Sequence, residues 1–321
     1  MKEYGGYIEF EHYTGKHYHQ NAIPLNTGRN CLRYLIRAKK IKHIAMPRFI
    51  CSAVTNVCKN EGVRITYYFI NRELKPIGIE EFDEGTYLYI VNYYGLLDTD
   101  YVTKLACKYR VIIDNSQAFF ESAITGIDTI YTCRKFFGVA DGAYLITDSR
   151  IDEHIEVDTS YDRMAFLFGR YEVDASTFYP AFRQNEQRLD TIEIRYMSKI
   201  TQNILRNIDY NYIKNIRNQN YCTLNNTIGK NNLLRTQKPI VGPYMYPFLI
   251  NNGNYLRTKL KEKNIYVPVL WPNILETEKC ESYEYYFADN ILPLPCDQRY
   301  STQDMLYIAN TIDYFLQEGI K

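Results

Sequence analysis

Two short segments of this chain carry residue types whose spacing suits chemistry. VIIDNSQAFF (Val111–Phe120) places Asp114 at the end of an apolar, β-branched run, with Gln117 three residues on. YTCRKFFGVADGAYLIT (Tyr131–Thr147) places Lys135 just before a glycine-bearing turn that leads into another strand-like run. A lysine held in apolar surroundings loses affinity for its proton and becomes a competent amine. Such an amine condenses with an aldehyde. A carboxylate nearby keeps a ring nitrogen protonated, so that the ring withdraws electrons. Together these are what pyridoxal 5'-phosphate (PLP) asks of a protein. Taken singly, each residue has an ordinary alternative: Lys135 a surface charge, Asp114 a cap after a strand, Gln117 a loop polar group.

A third segment, Thr27-Gly28-Arg29-Asn30, lies between an extended stretch and a helix. Gly28 allows close backbone approach, and the amides of Arg29 and Asn30 are expected to be free at the helix start, which makes an anion site. The Thr132 hydroxyl and Arg134 add contacts for the same anion. Near the N-terminus, His12, His17 and His19 lie close together. No Cys or carboxylate completes a familiar ligand spacing, so they are expected to form a solvated arm rather than a metal site.

The elements that must position these residues alternate. Arg29–Lys40 has helical apolar spacing, HIAMP (His43–Pro47) is a short strand stopped by proline, and Ser52–Asn60 is helical with Gly62 as its stop. Strands are expected at Val63–Ile70, Tyr87–Tyr93, Arg110–Asp114 and Ala143–Thr147, with a helix at Asp98–Tyr109. This alternation argues for an α/β fold with a mainly parallel sheet between helices. In such sheets ligands gather beyond the carboxyl ends of strands, where Asn92 and Asp114 both fall. Residues 152–182 read as irregular, and one long helix is expected from about Gln184 to Ile208. Beyond it come strands at Tyr246–Ile250 and Ile265–Leu270 and helices at Asn254–Lys263 and Ser301–Gln317, the last with a Ser301/Asp304 cap. The expected division is a large domain over 1–182, including an N-terminal arm, and a smaller α+β domain over 183–321.

The remaining composition excludes more than it assigns. The 321 residues fit two domains, and 46% hydrophobic content is ordinary for a globular chain. A formal net charge of +1 makes no electrostatic case for nucleic acid or an anionic membrane. No window approaches the ~18 apolar residues of a membrane span. The eight cysteines are scattered without a CxxC pair and the start has no apolar secretory core, so free thiols and a cytoplasmic location are expected.

The order TGRNCL, MPRFICSAV, VNYYGLLDTD, VIIDNSQAFF, TCRKFFGVADGAYLIT resembles the DegT/StrS-type nucleotide-sugar aminotransferases, a family of fold-type I PLP enzymes. IEIRYMSKIT (Ile192–Thr201), VPVLWP (Val267–Pro272) and LPLPCDQRYSTQDM (Leu292–Met305) extend the similarity over most of the chain. The resemblance implies a PLP-binding large domain and a smaller C-terminal domain. It implies that Lys135 bonds the cofactor aldehyde and moves the proton, that Asp114 pairs with the ring nitrogen and that Gln117 bonds the phenolic oxygen. Gly28, Arg29 and Asn30 would cradle the phosphate, with Thr132 at a serine-type phosphate position. The implied reaction moves an amino group from glutamate or glutamine to a keto sugar, nucleotide-linked, in surface polysaccharide or amino-sugar biosynthesis, by a homodimer with its site at the interface. Three positions depart from the family pattern. Cys51 stands where an aromatic residue often stacks on the ring, leaving Phe49 or Tyr94 for that task. Asn92 replaces a histidine, and Glu193 falls near a cross-subunit asparagine. Dehydratase members carry histidine in place of the lysine, so Lys135 argues against that reaction. A non-catalytic or other-reaction (lyase or dehydratase) relative of the fold is the alternative.

Overall fold

β-branched, apolar runs bounded by polar or proline residues form the middle of a sheet. The structure, a computed structural model, describes residues 4–83, 85–235 and 240–319. In chain order its elements are β1 (Ile23–Leu25), α1 (Gly28–Ala38), β2 (His43–Pro47), α2 (Ser52–Asn60), β3 (Arg64–Ile70), β4 (Pro76–Ile77) and β5 (Tyr87–Val91). There follow α3 (Thr99–Ala106), β6 (Arg110–Asp114), β7 (Asp128–Thr132), β8 (Ala143–Ile146), α4 (Ala165–Glu172), α5 (Tyr179–Thr191), α6 (Lys199–Arg206) and α7 (Tyr210–Ile228). The chain ends with β9 (Tyr246–Leu249), α8 (Gly253–Glu262), α9 (Ile274–Thr277), α10 (Tyr283–Asn290), β10 (Ile291–Leu294) and α11 (Thr302–Glu318).

Eight strands make one sheet in the order β1-β8-β7-β6-β5-β2-β3-β4. The central pairs β2·β3, β2·β5, β5·β6 and β6·β7 are parallel. Four consecutive residues of β5 and of β6 are buried, as expected for strands covered on both faces. β8 is antiparallel to β7, and β1 is antiparallel to β8, so β1 points the same way as the parallel strands. The carboxyl ends of β1, β2, β5, β6 and β7 therefore share one edge. Gly28, Phe49, Asn92, Asp114 and Thr132 all follow or close those ends, which is how residues far apart in sequence come together.

Local chemistry fixes the boundaries. Thr27 caps α1 by accepting from the Asn30 amide at 3.1 Å. Gly62, at φ +66, ends the turn after α2. α11 begins with a capping box, in which the Ser301 hydroxyl accepts from the Asp304 amide and the Asp304 carboxylate accepts from the Ser301 amide. The antiparallel pair β9·β10 packs with α7, α8 and α11 around its own core of Leu224, Phe248, Leu260, Leu292, Met305 and Ile312. Met197, Leu205 and Ile213 instead join Phe119, Phe136 and Phe137 in a cluster beneath the Lys135 loop. No helix among the described residues is long and apolar enough to cross a membrane.

Four expectations are corrected. The stretch 152–182 is not irregular throughout: it contains α4 and the start of α5. The single helix from Gln184 to Ile208 is two helices, because residues between α5 and α6 run extended. Their backbone is taken by tertiary partners: the Asn26 amide donates to Arg195 O at 2.9 Å, the Tyr196 amide to Glu156 O at 2.8 Å and the Met197 amide to Pro24 O at 3.0 Å. Ile265–Leu270 is extended but pairs with no strand, so it is not one. The histidine arm is solvated up to Lys16, as expected, but not at His17 and His19. Only His12 is exposed; His17 bonds to the Tyr144 hydroxyl, and His19 stacks on Tyr131 at 3.9 Å with its Nε2 bonded to Phe119 O at 2.9 Å.

Burial brings His19 down from 6.5 to about 4, against the opposing pull of the Phe119 carbonyl. The folded chain thus holds His19 neutral where the unfolded chain would protonate it. The stability this gives is complete above pH 6.5 and declines as the pH falls toward about 4, at no more than about 1.4 kcal/mol per pH unit. The melting temperature of the native chain is expected to fall through that window more steeply than that of His19→Asn.

Candidate functional site

Asp114 closes β6 and is buried. Both of its oxygens are held: the Tyr89 hydroxyl donates to Oδ2 at 2.9 Å, and the Ser116 amide donates to Oδ1 at 2.8 Å. Tyr89 lies on β5 two residues before Val91, the register partner of Asp114, so both side chains stand on the same face. Burial, with Asp114 beside it, pushes the Tyr89 phenol well up and keeps it a donor. Sequence reasoning missed Tyr89, whose only signal was its even spacing from the end of β5.

Lys135 sits three residues beyond β7, and its Nζ donates to Ser116 Oγ at 3.1 Å. Ser116 is thus a bridge, its amide on Asp114 and its hydroxyl on the lysine. The ring of Tyr244, from the segment before β9, lies 5.6 Å from the amine. The lysine pKa is lowered. Dense protein around it is the main cause, Asp114 and Cys51 act against it, and Arg134 and Arg29 act with it. The side chain nonetheless keeps access to solvent. A ligand that displaces water from the exposed amine would deepen the depression.

The anion cradle is partly as expected. Gly28 opens α1, and the amides of Gly28 and Arg29 meet no acceptor among the described residues. Asn30 differs from expectation. Its amide is taken by Thr27, its Nδ2 donates to Asn26 Oδ1, Ile192 O and Glu193 O, and its Oδ1 accepts from Arg33. It therefore fastens α1 to the segment after α5 and has nothing left for an anion. Thr132 ends β7, half-buried, with its hydroxyl unengaged among the described residues. Arg29 pairs with Asp190 and Arg134 with Glu186, carboxylates one helical turn apart on α5. Burial, then the neighbouring Arg29, lowers the Arg134 pKa to about 10, and its Nε is buried without a hydrogen-bond partner. A cavity of about 150 Å³ adjoins Arg29, Asn30, Arg33 and Asp190. A larger one, about 620 Å³, lies under the N-terminal arm and contains none of the candidate residues.

The Gln117 carboxamide oxygen accepts from the Tyr94 amide at 2.8 Å, which leaves its NH2 group as the donor it has to offer. Asn92 is spent on structure: its Nδ2 donates to Asn115 Oδ1 and its Oδ1 accepts from the Leu97 amide, each at 2.9 Å. Neither proposed ring-stacking residue has a free face. Phe49 is fully buried against Tyr93, Trp271 and Phe287, and Tyr94 is buried beside Trp271. Among the described residues the Tyr244 ring lies beside the lysine amine, at 5.6 Å, brought there from the segment before β9, and it leaves no local signal in sequence.

The DGAY turn after Lys135 also acquires a physical reason. Asp141 is fully buried and accepts from the Ser198 amide at 2.8 Å, the Ser198 hydroxyl at 2.7 Å and the Thr201 hydroxyl at 2.5 Å. Gly142 takes φ +116, and a Cβ there would meet Thr201 at 3.0 Å. The turn thus ties the far end of the lysine loop to the start of α6. Among the described residues no group of three or more His, Cys, Asp or Glu side chains is placed to hold a metal ion.

No protein-family model matches the chain, and neither does any curated protein. Solved structures do. Spr1654 of Streptococcus pneumoniae, described as a sugar aminotransferase and solved in PLP and PMP forms, is 13% identical with a TM-score of 0.64, over 92% of this chain; the PLP form is covered over 87%. A DegT DnrJ EryC1 StrS aminotransferase from Brucella abortus is 13% identical with a TM-score of 0.61, over 92% of this chain and 85% of its own. Helicobacter pylori PseC, an aminotransferase involved in the biosynthesis of pseudoaminic acid, is 14% identical with a TM-score of 0.62, over 93% and 87%. The fold is accordingly the one these aminotransferases share, with a large mainly parallel sheet flanked by helices.

Proposed function

We propose that this chain is a PLP-dependent aminotransferase that moves an amino group from glutamate or glutamine to a keto sugar, nucleotide-linked, in surface polysaccharide or amino-sugar biosynthesis. The observation that carries the reading is the Asp114–Ser116–Lys135 chain at the common carboxyl edge, with both carboxylate oxygens fixed and the lysine side chain open to solvent. Similarity of fold to aminotransferases, one of them seen in PLP and PMP forms, supports it. So does the donor set, since the unpaired amides at Gly28 and Arg29 and the unpartnered Nε of Arg134 suit a phosphate.

PLP, when bound, supplies an aldehyde that exchanges amines and a ring that withdraws electrons. The residues of this chain do the rest. Asp114, its orientation set by Tyr89 and Ser116, would hold a ring N–H⁺. The α1 start, Arg29, Arg134 and the Thr132 hydroxyl would hold the phosphate, and the Gln117 NH2 group would be the donor for the phenolic oxygen. Lys135 would be the amine that holds the cofactor and would carry the proton to and from the reacting carbon. A homodimer in the cytoplasm, with the site at the subunit interface, belongs to the same reading.

One observation favours the second reading, a non-catalytic relative of the fold. Glu186 and Asp190 already neutralise both cradle arginines, so a phosphate has to compete with them. A half-reaction separates the two. With PLP and then glutamate, the aminotransferase converts to the pyridoxamine form, visible as loss of the yellow band, and a keto acid restores it. A chain that takes up no PLP, or whose band neither glutamate nor glutamine changes, is not the aminotransferase proposed.

A further inference from the structure

One guanidinium in the second unit reaches across to the lysine loop. Arg217, midway along α7, is 1% exposed, and no carboxylate lies within ion-pair distance of it among the described residues. A buried cation without a counter-ion is costly unless each N–H finds an acceptor. Here each does. Nε donates to Gln298 Oε1 at 2.8 Å, Nη1 to Pro243 O at 2.8 Å and to Tyr244 O at 3.3 Å, and Nη2 to Phe136 O at 3.2 Å. Gln298, beyond β10, closes the ring by donating its own Nε2 to the same Phe136 carbonyl at 2.7 Å. The guanidinium also lies over the Phe136 ring at 4.8 Å.

The two backbone points held this way flank the reactive amine. Phe136 is the residue directly after Lys135, and Tyr244 supplies the ring 5.6 Å from its Nζ. Asn218, next to Arg217 on α7, adds a third tether by accepting from the Gly242 amide at 2.7 Å. A lysine could not replace Arg217, because only the planar fork reaches acceptors on three sides at fixed angles. We infer that Arg217 and Gln298 are positioning residues for Lys135, clamping its loop and the Tyr244 ring from the second unit so that the amine stays aimed at Asp114 and Ser116. The inference rests on the reading of Lys135 as the reacting amine.

The groups that act on that amine are Asp114, Cys51, Arg134, Arg29 and the neutral Tyr244 ring. None of them is changed by substituting Gln298. If the clamp is loosened, the lysine reaches further into water, and its proton affinity rises toward that of an ordinary lysine. The test is trace acetylation of the full chain across pH, with each lysine followed by mass spectrometry, in the native protein, Gln298→Met and Arg217→Lys. Gln298→Met removes two bonds, the one it accepts from Arg217 Nε and the one it donates to Phe136 O, at a half-buried position, and it leaves the other bonds of the guanidinium in place, so it remains informative if Arg217→Lys fails to fold. The expected result is that the Lys135 midpoint rises by about half a pH unit or more in Gln298→Met while the other lysines keep theirs. A lowered melting temperature with an unchanged Lys135 midpoint overturns the inference and leaves the ring of bonds a purely structural one. A shifted midpoint in a chain that forms no borohydride-stable PLP adduct supports the clamp and overturns the cofactor reading, so the two failures are distinguishable.

Discussion

Lys135→Ala is expected to abolish transamination, with a loss of at least about 10⁴-fold, because both the covalent link to the cofactor and the proton carrier are removed. The fold should persist. The amine contributes one hydrogen bond to Ser116 and lies near the Tyr244 ring, contacts worth together about 1–2 kcal/mol at most at a solvent-accessible position. Removing a cation from beside Arg134 and Arg29 works in the opposite direction, so the melting temperature is expected to stay within a few degrees of native. Activity and thermal melting measured on the same preparation check this. Substantial activity in a folded Lys135→Ala protein would show that another amine does the chemistry.

The second large effect is expected at Asp114. Asn has nearly the same shape but cannot stay negative opposite a ring N–H⁺, and the electron-withdrawing power of the ring depends on that charge. The kcat of Asp114→Asn is expected to drop by roughly 10²–10³-fold. Stability also suffers, because Asn offers one acceptor where Tyr89 and Ser116 each need one. One donor is left unpaired in a buried place, at a cost of about 1–3 kcal/mol. Tyr89→Phe separates the two effects: it leaves the charge in place and removes one orienting bond, so its loss of kcat should be about tenfold. Equal losses in the two variants would count against a charge role for Asp114.

Much of this arrangement was legible in the sequence, for identifiable reasons. HIAMP, Ser52–Asn60 and Arg110–Asp114 form elements with the expected bounds, because buried parallel strands need β-branched runs and Pro47, Gly62 and Asp114 mark their ends or those of their neighbours. Strand ends then place Asp114 and Lys135 without further information. The break between α5 and α6 was hidden because Leu189, Ile192, Tyr196 and Ile200 keep helical spacing while the backbone of residues 195–197 bonds to Asn26, Glu156 and Pro24, so tertiary partners outweigh local preference. Tyr89, Tyr244, Arg217 and Gln298 owe their roles to neighbours brought from other elements. The arginines of the cradle were visible as types, but their pairing with Glu186 and Asp190 required knowing where α5 lies. Asn30 and Asn92 show the opposite error: amides at suggestive positions whose side chains are already bonded to backbone and side-chain neighbours.

The central claim is that Lys135 is the amine that takes PLP, and one measurement addresses it directly. The native chain is incubated with PLP, reduced with borohydride, digested and mapped by mass spectrometry. The account predicts one pyridoxyl group per chain, on the peptide containing Lys135, and none on the same peptide of Lys135→Ala. A chain with no fixed cofactor, or with pyridoxyl groups spread over exposed lysines while Lys135 stays unmodified, contradicts it.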